Sequence, residues 1–231
     1  MTTETYLTVA LYALGALLIV WQGMRMWRNV VAQRGTGQAM QALQRWASSA
    51  GWSLVDTNVK APWRKPFEDQ SGTTILEPKA VALGAVDGTE WMVAVGKAYD
   101  DFDEPGQPSI TSNVVYWRFT VKPVGGWVRV RAATSRFRGQ IKRTDTESID
   151  FNHDVHVHAY PAKLAYQVLA PDMMDWYLHT SSRPWIHIHD ETLLIVFEGT
   201  GPEIDIAKQY REVERIIHHI AGLTVLEQPK E

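Results

Sequence analysis

The 231-residue chain contains no cysteine, which excludes disulfides, thiol nucleophiles and thiolate metal ligation. No Lys or Arg precedes Arg25, so the N-terminus lacks the basic start of a secretory signal, and no A-x-A cleavage pattern follows the apolar run. G-x-S-x-G, H-E-x-x-H, G-K-[ST] and kinase signatures are also missing, so no local pattern marks a nucleophile or a phosphate loop. "FEGTGPEID" imitates a dinucleotide loop, but Ile204 stands where the third glycine belongs, and no cofactor is expected. There is no internal repeat or low-complexity tract. A net charge of −3 lacks the basic excess of a nucleic-acid binder, and no nucleic-acid partner is expected.

What the chain does have is an ordinary folded composition, 45% apolar and 21% charged, with ten tryptophans. So many indoles need rigid apolar pockets or a membrane interface. "YLTVALYALGALLIVWQGMRMW", residues 6–27, predicts a transmembrane helix, because about 20 apolar residues cross a hydrocarbon core of ~30 Å. Tyr6 and Tyr12 near one end and Trp21 and Trp27 at the other fit an aromatic belt. Arg25, Arg28 and Arg34 follow the run, which predicts a single-pass inner-membrane protein with residues 1–5 outside and the C-terminal part cytoplasmic. The same arginines are candidates for binding anionic headgroups, with the bilayer as partner.

Residues 28–50 then read as a juxtamembrane segment ending in an amphipathic helix at about 37–50, where Met40, Leu43, Trp46 and Ala47 recur at helical spacing before Gly51. Residues 51–224 predict the cytoplasmic domain and 225–231 a tail. Apolar runs flank Asp87-Gly88, "SNVVYWRFT" and "WVRVRAA" flank a turn at Pro123 to Gly126, and "WIHIH" precedes "TLLIVFE", giving three predicted hairpins. Short helices follow Pro161, broken before Pro171. A final helix is predicted from Thr200 as N-cap to Gly222, with an apolar stripe of Ile206, Tyr210, Val213, Ile217 and Ile220. The fold class expected is α+β: an N-terminal transmembrane helix, then a mainly antiparallel sheet of hairpins packed by two or three helices.

Five of the eight histidines lie in "DFNHDVHVHAY" and "WIHIHDE". In a strand, alternate residues share a face, so His156 and His158 oppose Val155 and Val157, while His187 and His189 oppose Ile186 and Ile188. Four imidazoles on adjacent strands would make a candidate zinc or copper site, and near neutral pH they would make a proton sensor. A solvated polar face is the plainer expectation. Arg129 and Arg131 alternate with Val128 and Val130, and Arg136, Arg138, Lys142 and Arg143 continue the basic run. Arg129, Arg131, Arg136 and Arg138 are thus candidates for an acidic partner or lipid, against an ordinary solvated face. Asp100, Asp101, Asp103 and Glu104 do not match a calcium loop and read as a hairpin tip.

"ESIDFNHDVHVHAYPAKLAYQVLAPDMMDWYL", residues 147–178, resembles uncharacterised single-pass membrane proteins of actinobacteria and their phages. The resemblance is carried by Leu169, Pro171, Met173, Met174, Trp176 and Leu178, and extends to Trp63 and Phe67 and to "WIHIH…LLIVFEG". It implies architecture and a role in envelope biology or prophage-mediated phage exclusion. In similar proteins the strand carries mixed polar or basic residues at the places of His156 and His158, which argues against a family-wide metal site. The expected function is a membrane-anchored, non-catalytic interaction module with a protein partner, in which self-association is also open. The rivals are a metal-dependent hydrolase and a pH-responsive switch.

Overall fold

The computed structural model describes residues 20–22, 35–56, 67–69, 72–86, 88–100, 110–133, 143–199 and 204–226. Helix α1 spans residues 35–50. Strands β1 (Ser53–Val55), β2 (Phe67–Asp69), β3 (Gly72–Val86), β4 (Thr89–Asp100), β5 (Ile110–Thr120) and β6 (Trp127–Ala132) follow. Then come α2 (Ile149–Asp154), β7 (Val155–Tyr160), α3 (Lys163–Val168), α4 (Pro171–His179), β8 (Trp185–His189), β9 (Thr192–Glu198) and α5 (Ile206–Leu226). The strands form one sheet in the order β1-β3-β4-β5-β9-β8-β6-β7, with β2 also paired to β3, and every pairing is antiparallel.

Gly88, at φ +77, makes the turn that joins β3 to β4. The long β3–β4 ribbon bends at a register shift between Pro78 and Ala80. Proline cannot donate to a ladder, so a bulge is where a strand tolerates it. Opposite lies Gly96, where a β-carbon would run into the Glu77 carbonyl.

The second predicted hairpin does not form. β5 pairs with β4 and β9, whereas β6 pairs with β7 and β8. The β8–β9 hairpin is inserted between them. Its turn holds the intervening segment, since Val121 N–H donates to the Glu191 carbonyl, and Asp190 N–H donates to the Gly126 carbonyl. Local patterning predicts two strands and a turn but carries no information about a later ribbon entering between them.

One face of the sheet carries the main core, covered by helices. Val93, Val95, Val115, Trp117, Val130, Val157, Ile186, Ile188, Leu193 and Ile195 are all fully buried there. α1 contributes Ala39, Leu43 and Ala47 to it, so this amphipathic helix is a packing element of the domain. α5 contributes Ile206, Val213, Ile216 and Ile220, with Tyr210 and Ile217 partly buried. It begins later than predicted, because Asp205 caps it through the Lys208 N–H at 2.9 Å, and it runs past Gly222 to Leu226. Thr200, the predicted cap, lies outside the described residues. An unpredicted helix, α2, opens on Ser148, whose hydroxyl accepts from the Phe151 N–H.

The single-pass membrane architecture is corrected. No helix among the described residues is long and apolar enough to cross a membrane. Among the described residues only α5 reaches the required length at 21 residues, and it carries Lys208, Arg211, Glu212, Glu214 and Arg215 within little more than two turns. Charged groups on several sides of a helix are too costly for a hydrocarbon core. Of the predicted span at 6–27, only Val20, Trp21 and Gln22 are described, and they are helical and exposed. The N-out, inner-membrane localisation and the bilayer as a partner fall with this correction. The fold is an antiparallel sheet accompanied by helices α1 to α5.

Candidate functional site

The two H-x-H strands are not neighbours. β6 runs between them, so Arg129 lies opposite His158 of β7 on one side and His187 of β8 on the other. Arg131 lies opposite His156, and Trp127 lies opposite both Tyr160 and His189. Directly opposed residues on one face have β-carbons about 4.5–5.5 Å apart, so arginines separate the two sets of imidazoles. Among the described residues, no group of three or more His, Asp or Glu side chains could hold a metal ion. His156, His158, His187 and His189 are therefore brought to one face but not to one point.

That face continues across the sheet. From Arg129 the register passes through His187, Leu194, Arg118, Met92 and Leu83 to Ser53 at the far strand. Its apolar half buries Val81, Met92, Ala94, Val114, Tyr116, Leu194 and Val196, and Trp185 closes the cluster. The solvated polar face expected from alternation is thus corrected. His187 is 0% exposed and Arg129 and Arg131 are 4% exposed each, while His156, His158, His189 and Arg118 are partly buried. An exposed basic strip for lipid is not what β6 presents. Arg136 and Arg138 lie outside the described residues, as do Arg25, Arg28 and Arg34.

Arg131 organises this half of the face. Its guanidinium lies 4.3 Å from the centre of the Trp185 ring. Its Nε and Nη2 both approach His187 Nε2 at 3.2 Å. Arginine only donates, so Nε2 must accept and the imidazole proton belongs on Nδ1. Trp185 also stacks on the His187 ring, with centroids 6.5 Å apart and planes 15° from parallel. Burial, reinforced by the Arg129 and Arg131 charges, holds the His187 imidazole well below its ordinary range. A neutral, tautomerically fixed imidazole is what lets a cation sit beside it in a dry setting. Burial likewise lowers the basicity of Arg118.

The flank of the site is tied down by hydrogen bonds. Arg143 Nη2 donates to the Val155 carbonyl at 2.8 Å, and Thr144 N–H donates to the Val157 carbonyl, so residues 143 and 144 line the outer edge of β7. Tyr177, fully buried, donates to the Pro184 carbonyl at 2.9 Å and fixes α4 against the start of β8. Arg183, at φ 35, reaches Asp154 Oδ2 at 3.3 Å and the Leu178 carbonyl at 3.2 Å. A hydrogen bond from His153, with help from Arg183, keeps the Asp154 carboxyl below its usual value. Sequence reasoning passed over Trp185 and Arg118. Trp185 was within reach of it, since W-x-H-x-H places the indole on the histidine face by simple alternation.

No protein-family model and no curated protein matches this chain. A solved structure is similar over most of its length: the crystal structure of the mycobacterial trehalose monomycolate transport factor A, TtfA. The two share 13% sequence identity at a TM-score of 0.51, with 84% of this chain and 98% of that chain covered. At that identity the likeness shows the fold alone.

Proposed function

We propose that the chain is a non-catalytic binding module that works through a protein partner in cell-envelope lipid transport. The observation that carries this reading is the fold likeness to a trehalose monomycolate transport factor over 98% of that chain. The chemistry of the candidate site supports it. His187, whose imidazole burial holds well below its ordinary range, is fully enclosed and spends Nε2 on Arg131, so it is placed to hold the sheet together rather than to meet a substrate. A His-ligated hydrolase has no comparable support, because β6 stands between the two histidine strands.

Deleting the gene in its host and following pulse-labelled envelope glycolipids tests the reading. Delivery to the cell surface should slow while synthesis continues, with the intracellular pool rising. Delivery at the wild-type rate would sink the proposal.

A further inference from the structure

Helix α5 carries two stripes on opposite sides. Ile206, Val213, Ile216 and Ile220 are buried in the core under the sheet. Lys208, Arg211, Arg215 and His218 follow one another at spacings of three, four and three residues, and all four are exposed. At about 100° per residue they fall within roughly a quarter-turn of the helix, and at ~1.5 Å per residue the row is about 15 Å long. The buried stripe anchors the helix to the domain, so the row sits on a rigid support.

The row is not neutralised from within the fold. Arg211 and Arg215 stand one turn apart, an i,i+4 pair of like charge, which weakens a helix rather than supporting it. Neither has an ion-pair partner among the described residues. Lys208 Nζ lies 3.9 Å from Glu212 Oε1, but Glu212 Oε2 is already engaged by the Ser182 hydroxyl at 2.6 Å. The chain as a whole has a net charge of −3, so this row runs against its general charge.

Carboxylates border the row on both sides. Glu212 lies about 40° to one side of Lys208, and Glu214 about 40° beyond His218 on the other. A broad anionic surface would press on these acids as well as on the cations and be repelled by them. A narrow rod can lie along the cations and pass between the acids. An acidic helix meets that condition, because its own residues three and four apart fall in one row of the same pitch.

We propose that the exposed side of α5 docks an acidic polypeptide segment, one whose carboxylates recur at helical spacing along Lys208, Arg211, Arg215 and His218. This names the chemistry of the protein partner in the transport reading and rests on that reading for its role. Docking is measured on the purified chain and delivery in the host, so either can fail alone.

The test titrates the full chain, isotopically labelled for amide NMR, with an alanine-based helical peptide bearing glutamates three and four residues apart, and with its glutamine counterpart. Saturable shifts along the exposed side of α5 are expected with the glutamate peptide alone. They should weaken as salt rises past about 0.1 M, where exposed charges are screened. Arg211→Gln together with Arg215→Gln should weaken binding about tenfold, the scale of two exposed charge pairs. Lys79→Gln together with Lys122→Gln makes the same change in net charge at exposed positions outside α5 and should leave affinity unchanged. Matched thermal melting checks that both double variants fold. The proposal is overturned by linear shifts, by equal binding of the glutamine peptide, or by an equal loss in the two double variants. Tighter binding to vesicles containing anionic phospholipid than to the peptide would also overturn it, assigning a membrane surface instead.

Discussion

The two faces of the sheet are buried by different chemistry. On the helix-covered face, Trp46, Trp52, Trp91, Trp117 and Tyr210 meet in one aromatic cluster, with Trp46 and Trp117 5.5 Å apart edge to face and Trp91 and Phe119 4.7 Å apart. Apolar area and ring geometry stabilise it, and nothing there requires a particular protonation state. On the opposite face, Arg129, Arg131 and His187 are as dry as the tryptophans, yet they are kept there by a cation–π contact, a fixed tautomer and a neutral imidazole. The first face tolerates changes of pH; the second is coupled to it. Burial alone therefore says little about what holds a residue in place.

The largest expected effect is on the first face. Trp117→Ala removes a fully buried ring at the centre of the cluster. It should cost about 3–5 kcal/mol in urea unfolding, the range for large aromatic truncations. Next comes the second face. Arg131→Met leaves His187 Nε2 without its donor and removes the contact to Trp185, for an expected loss of about 1–3 kcal/mol. If this face were an ordinary solvated one, the same change would stay within about 0.5 kcal/mol. The size of that one number separates the two descriptions.

The pH dependence sharpens the contrast. His187 has a folded pKa well below its unfolded value of 6.5. Protons thus bind the unfolded chain first, and stability should fall as pH drops below 6.5, continuing to the lower folded pKa. The slope from this group is at most about 1.4 kcal/mol per pH unit. His187→Gln, which keeps an acceptor but cannot titrate, should flatten the curve between about pH 6 and 5 while lowering the plateau. A wild-type curve equally flat there would break the comparison. The smallest effect belongs to Ser148→Ala, which deletes the α2 cap and should cost about 0.5–1 kcal/mol.

Much of the secondary structure was readable in the chain. Asp87-Gly88 marks a turn, the W-x-H-x-H and T-L-L-I-V-F runs make a hairpin, and the Ile206 to Ile220 stripe makes a helix, because each depends on neighbours within one or two turns of chain. α2 had a legible signal in Ser148 that a short helix made easy to overlook. The pairing of β6 with β8 had none, since β8 reaches it from some sixty residues downstream in the chain. The candidate sites were less legible still. Alternation placed Arg129, Arg131 and the histidines on one face but could not say whether water lay on it.

By itself, then, the sequence determined which residues form strands and helices and which side chains share a face, because the periods of 2 and 3.6 are local properties of the backbone. Only the tertiary structure decided that β6 parts the two histidine strands, that the arginines are buried, and that His187 is neutral. Those outcomes depend on which strands lie side by side and on how far water is excluded, and both are set by contacts between segments far apart in the chain.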